Sequence, residues 1–344
     1  MGLTVRENFL RNASFRGHEW IPQFCGISQA YWHEAREEIE EVCLRHPVLF
    51  PNFRKGQVNF DAGERNAAQR EEVDAWGCRW RYELDGLAGI VTGHPLESWD
   101  SLETWTPPEP PAPQADLQER FEAAKNQGQV AGFSTEHGFL FMRLGYLRGL
   151  ENFLCDVAAE DPRLERLMEV VVRYWERGIR AAIEAGLDAL NAADDLGTQS
   201  ASVLGPVHFR RWIQPAYRRL FLPVREAGAH VALHHDGFVM DIMDDIIASG
   251  VSIVNPQDLV NGIDNLAREV KGRVCICIDI DRQRILPFGS PSDVRDLVKE
   301  EVMKLGSPAG GLEMIVGIYP PTPPRNVDAL FSALEEFRTY WVGR

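Results

Sequence analysis

The feature that most constrains this chain is a recurring unit, a short apolar run that ends in polar, titratable residues and is followed by an amphipathic stretch. Residues 188–194, 230–234, 251–255, 274–279 and 312–316 are runs of this kind. Their near-continuous apolar character suits parallel strands covered on both faces. Between them lie helical patterns. Residues 206–226 carry Phe209, Trp212, Ile213, Ala216, Leu220 and Val224 at spacings of three and four, one buried stripe. Further on, Ser290 reads as an N-cap, Pro291 as the first helical residue and Asp293 as its capping partner. Val294, Leu297, Val298, Val302 and Leu305 form the stripe, and Gly306 ends it. Strands separated by single helices imply right-handed βαβ units. A (β/α)8 TIM barrel is the economical arrangement, with an open doubly wound sheet as the alternative.

The first 130 residues are less regular. Residues 21–25 and 129–134 fit the first two barrel strands, separated by an acidic helix at 33–44, a helix near 64–73, a Trp-rich stretch and a stiff Pro-rich connector at 107–113. Residues 45–113 read as an N-terminal insertion or cap near the barrel mouth. Within it Trp76, Trp80, Trp99 and Trp105 serve packing first and pocket lining second. Residues 1–344 are expected to form a single domain.

Charge narrows the partners. The formal net charge is −15, from 51 acidic against 36 basic residues, with no Lys/Arg-rich run. A phosphate-tracking surface is therefore not expected, which argues against nucleic acid. No apolar stretch approaches membrane-span length, and the first residues are not leader-like, so the expected location is cytoplasmic, away from membranes. Six scattered cysteines are expected to be free thiols, with Cys275 and Cys277 as packing residues. A homodimer seam cannot be separated from core by pattern alone.

In a parallel barrel, polar side chains at strand ends converge at the mouth, where catalysis occurs. Four such groups stand out: Asp194 and Asp195 with Gln199; His234, His235 and Asp236; Asn255-Pro256-Gln257; and Asp279 with Asp281. A His and a carboxylate two residues apart can ligate a metal, exchange protons or bind a substrate. The bland alternative is that Asp236 caps a helix at 238–249 while one imidazole is buried. Adjacent Asp194 and Asp195 alternate in direction, so only one is expected to face the barrel interior. Glu136, His137 and Arg143 follow another candidate strand, and Arg143 could clamp a carboxylate or form an ion pair.

Taken in order, residues 141–152, Asp194-Asp-Leu-Gly-Thr-Gln199, His234-His-Asp-Gly237, Val254-Asn-Pro-Gln257, Ile278-Asp-Ile-Asp281 and residues 319–327 resemble the uroporphyrinogen decarboxylase and corrinoid-dependent methyltransferase superfamily. Residues 6–10 resemble its opening helix. The likeness is to the methyltransferase-like branch, because residues 21–28 lack the Arg-Gln-Ala-Gly-Arg loop that binds porphyrin carboxylates in true decarboxylases. In the methyltransferases zinc is typically held by His-x-Cys and a later Cys. Here His234 matches the His, Asp236 replaces the first Cys, and Gly317 stands where the last would be.

The resemblance implies a methyltransferase component that moves a methyl group from a small methylated substrate to a corrinoid carried on a partner protein. His234 and Asp236, with Asp194 and Asp195, are the expected catalytic residues; His234 and Asp236 are also the expected ligands of a zinc ion. Glu136, His137, Arg143, Gln199, His235, Asn255 and Asp279 are expected to shape the substrate pocket. A cofactor-independent decarboxylase or lyase, with Arg143 or Arg54 anchoring a carboxylate, is the second reading. A barrel that only binds a metabolite is the third.

Overall fold

The computed structural model describes residues 2–62, 69–84, 87–110, 117–136 and 138–344. All seven apolar runs named above form strands of one parallel sheet. They are β1 (Gln23–Ile27), β5 (Gly132–Ser134), β6 (Ala189–Ala193), β7 (His230–His235), β8 (Ile253–Pro256), β9 (Cys275–Asp279) and β10 (Leu312–Ile318). The spatial order is β1-β10-β9-β8-β7-β6-β5. Three short strands, β2 (Glu71–Val73), β3 (Arg79–Arg81) and β4 (Ile90–Gly93), form a separate antiparallel sheet.

The parallel sheet curls, because its two edges, β1 and β5, line the same cavity as β6, β7 and β10. Among the described residues there are seven barrel strands rather than eight, and β1 does not pair with β5. The sheet is a TIM-barrel-like α/β layer with an open seam.

Along β7, Val231, Leu233 and His235 are fully buried against helices, while Ala232 and His234 are half-buried toward the lumen. The lumen is closed at its lower end by the Val5–Ala13 helix, which starts with a capping box between Thr4 and Glu7. Its Phe9 and Ala13 pack against Ala189, Ile253, Cys275 and Cys277. Both cysteines are thus packing residues, as expected. Glu313 is buried among them, with Asn12 Nδ2 3.5 Å away.

The Pro291–Leu305 helix has the Ser290–Asp293 capping box read from the sequence and ends at Gly306. The helical run from Gly205 to Glu226 is interrupted by a π-turn at Phe209–Ile213. Two expectations are corrected. Residues 71–73 form a strand rather than the end of a helix, whose residues 64–68 lie outside the described ones. Asp236 caps no helix, because the helix expected at 238–249 is confined to Met243–Ala248. The intervening residues are drawn away by a turn at Gly237, φ 79°, and a bridge between Phe238 and Thr198.

The small sheet is anchored to the Phe141–Arg148 helix. Arg143 donates to Asp74 at 2.8 Å, Cys78 Sγ donates to the Tyr146 carbonyl, and Leu96 N donates to the Leu147 carbonyl. Part of the Pro-rich connector, residues 111–113, lies outside the described residues. No described helix is long and apolar enough to cross a membrane.

Candidate functional site

Period-two geometry at the end of β7 points His234 into the lumen and His235 into the helix layer. His235 is fully buried, neither ring nitrogen has a hydrogen-bond partner among the described residues, and burial pushes its pKa down to about 3. It is a neutral packing group, and the expectation that it shapes the pocket is corrected.

His234 lines a cavity of about 870 Å³ together with Asn255, Asp279, Arg282 and Tyr319. The Asn255 amide donates to the Cys277 carbonyl, so its Oδ1 is left to accept from His234 Nδ1 at 2.9 Å. That assigns the proton to Nδ1 and frees Nε2. Nε2 lies 3.4 Å from Asp236 Oδ1. Desolvation pulls the His234 pKa down, but Asp236, together with Asp279 and Asp195, outweighs it and raises the group above its ordinary value. Burial acts to raise the Asp236 carboxyl, while His234 and Arg282 hold it below its usual range.

Asp194 and Asp195 separate as alternation requires. Asp194 is fully enclosed. Its carboxylate accepts from the backbone N–H groups of Leu140, Phe141 and Met142, at 2.9–3.1 Å, and from the Tyr217 hydroxyl at 2.7 Å. Burial pushes its pKa up to about 6 against the pull of those donors. Asp194 therefore fixes the start of the Phe141–Arg148 helix instead of facing substrate, which corrects its expected catalytic role. Asp195 joins the site: one donor atom each of Asp195, His234 and Asp236 lies within 4.8 Å of the others.

A crossing of two backbones brings these residues together. Gly197 N donates to the Asp236 carbonyl and Phe238 N to that of Thr198. A Cβ on Gly237 would lie 2.3 Å from the Gly197 carbonyl carbon, and one on Gly197 would lie 2.5 Å from Gly237. Only two glycines allow this approach.

One imidazole nitrogen with a fixed tautomer and two carboxylates is a donor set that fits a divalent cation, in the pattern of three protein ligands and an open position. Asp236 Oδ1 already accepts from Gln257 Nε2 at 2.7 Å and from Arg282 at 3.0 Å. At residue 317 the space beside the glycine is filled by Tyr319, whose ring would be 2.6 Å from any Cβ. A cysteine ligand has no room there unless that ring moves.

Asp279 is 3% exposed, lines the cavity, and has its carboxyl raised by burial despite Arg282 at 3.4 Å. Gln199 lies in a small neighbouring recess with Gln257, Asp279 and Arg282. Glu136 lines the main cavity, with the Tyr174 hydroxyl 3.2 Å and Arg143 3.6 Å away. Arg143 is 3% exposed, paired with Asp74 and placed over the rings of Trp76 and Tyr146. Of its two sequence readings, the ion pair holds and the carboxylate clamp does not. Arg54 is exposed and outside the cavity lining, and His137 lies outside the described residues.

Sequence reasoning missed Arg282, Tyr319 and Phe24 as site residues. A signal for Arg282 existed: it follows Asp279 by three residues in the loop leaving β9, where the polar run continues.

In three dimensions the chain is similar to a methyltransferase from Methanosarcina mazei, with a TM-score of 0.63 over 97% of this chain and 99% of that one at 18% identity, a likeness of fold. Uroporphyrinogen decarboxylases from two strains of Thermus thermophilus are each 27% identical over 187 residues, 52% of this chain and 50% of theirs. The chain thus spans about half the length of the curated relatives it matches. The family model described as uroporphyrinogen decarboxylase (URO-D) matches residues 72–337. With more than three quarters of its length covered by that match, the chain belongs to the uroporphyrinogen decarboxylase family.

Proposed function

We propose that this protein removes a methyl group from a small methylated substrate and passes it to a corrinoid carried by a partner protein. The observation that carries this reading is the cluster of Asp195, His234 and Asp236 beside the cavity, with His234 Nε2 kept available by Asn255. A porphyrin substrate, with its many carboxylates, is disfavoured because Arg282 is the one guanidinium among the described residues lining the main cavity.

His234, Asp195 and Asp236 would hold a divalent cation such as zinc. When bound, such an ion supplies Lewis acidity toward the heteroatom that gives up the methyl group. The chain's own residues do the positioning. Asn255 sets the imidazole tautomer, Gln257 and Arg282 fix the Asp236 carboxylate, and Phe24 and Tyr319 present apolar surface that displaces water around the substrate.

The test is elemental analysis of the purified protein beside His234→Ala and Asp236→Ala. Near-stoichiometric divalent metal in the parent and its loss in both variants is the expected result, to be followed by assay of corrinoid methylation. Protein purified without chelator that holds no metal would remove the cation from the proposal.

Arg282 beside Asp279 favours a second reading, decarboxylation. The guanidinium would anchor a substrate carboxylate, and Asp279, whose carboxyl burial raises above its ordinary value, would deliver a proton to the carbon that loses carbon dioxide. Carbon dioxide release from candidate acids without corrinoid would select it.

A further inference from the structure

Glu136 belongs to two cavities. It lines the central one of about 870 Å³ and also a side cavity of about 510 Å³ bounded by the small antiparallel sheet. Among the described residues lining these two spaces are the carboxylates of Glu72, Asp74, Glu136 and Asp279 and the guanidiniums of Arg143 and Arg282; Arg70, outside the lining, pairs with Glu72, Arg143 with Asp74 and Arg282 with Asp279, which leaves Glu136 as the carboxylate with no cation closer than Arg143 at 3.6 Å. The balance of fixed charge is acidic. A concave acidic surface walled by low-dielectric protein concentrates cations and repels anions.

The walls are also aromatic. Phe24 is 43% exposed although it sits on a barrel strand, and Tyr319 is 37% exposed at the cavity edge. Trp80 and Tyr82 line the side cavity. Aromatic faces hold organic cations through the ring quadrupole, and an alkylammonium sheds water far more readily than a compact inorganic ion. Glu136 itself keeps 54% of its side chain accessible, so its carboxylate can be approached.

We infer that the substrate of this site carries a positively charged nitrogen, an organic ammonium group seated against Glu136 where the two cavities meet. The inference deepens the methyl-transfer reading and rests on it for the identity of the reacting group. The ligand class is set by charge and aromatic surface together: a neutral molecule of the same shape gains nothing from Glu136, and an anion is opposed by it.

Calorimetric titration of the full chain with choline, and with its neutral isostere 3,3-dimethyl-1-butanol, tests this. Choline is expected to bind about tenfold or more tightly than the isostere at low salt. The preference should shrink as ionic strength rises and disappear in Glu136→Gln. Equal affinities, no binding of choline, or a preference unchanged in Glu136→Gln would overturn the inference. Choline binding in a protein that passes no methyl group to a corrinoid leaves the inference standing and sinks the reaction. Methyl transfer from a neutral donor without choline binding does the reverse.

Discussion

Asn255 Oδ1 sits 2.9 Å from His234 Nδ1, and because the Asn255 amide is committed to the Cys277 carbonyl, the imidazole can present only Nε2 to the cavity. A hydrogen bond between two residues of the cavity wall therefore decides which nitrogen of His234 is left available. Asn255→Ala is expected to weaken divalent-metal affinity by about 10- to 100-fold, the usual scale for such orienting partners. Competition against a chromophoric chelator measures it. Unchanged affinity would mean that the tautomer is set elsewhere.

Adjacent aspartates should part company on substitution. Asp194→Asn puts an amide among four donors and leaves one unsatisfied, which should cost about 2–4 kcal/mol. Asp195→Asn, at a half-buried position, should stay within about 0.5 kcal/mol but lose metal. Denaturant melts and metal analysis of both variants separate the roles, and the opposite pattern would refute the assignment.

Glu313 gives a pH signature. Burial raises its carboxyl to about 8 from an ordinary value near 4.5. The unfolded chain releases this proton first, so stability falls as pH rises from about 4.5 to 8, by up to about 1.4 kcal/mol per unit from this one group. Glu313→Gln cannot ionise and should flatten that part of the curve, matching the parent near pH 4.5 and exceeding it above pH 8. Parallel curves would show that the carboxyl ionises normally.

At the acid end His230 contributes beside the more strongly depressed His235; desolvation and the nearby Arg225 push His230 down to about 4. Folded protein keeps it neutral between the Ser14 and Ser252 hydroxyls, each 3.2 Å away. Its contribution is complete above about pH 6.5 and is lost as pH falls toward 4, because the unfolded chain takes up the proton first. His230→Gln should show a shallower decline in that window, measured by urea unfolding at a series of pH values.

Much of this was legible before any coordinates. The seven apolar runs became the seven barrel strands because runs apolar on both faces can be buried only between a packed lumen and helices, and Ser290 and Asp293 gave the Pro291–Leu305 helix its start. At the site, the alternation of Asp194 and Asp195 was readable as a rule, but not which of them faced inward. That choice depends on the Phe141–Arg148 helix, whose first N–H groups claim Asp194 from 52–54 residues away. Arg282 was overlooked because a lone arginine in a loop carries no periodic signal. The helix expected at 238–249 failed because the pull of Thr198 on Phe238 is a tertiary contact.

The crossing of Gly197 and Gly237 also limits how the site can move. Asp195 and Asp236 reside on loops from different strands, yet those loops are threaded so closely that neither can swing outward without dragging the other. The sheet edges β1 and β5, which line the same cavity, carry no such crossing and remain unjoined. The loops that carry Asp195 and Asp236 are thus tied to each other, and the strand edges are not.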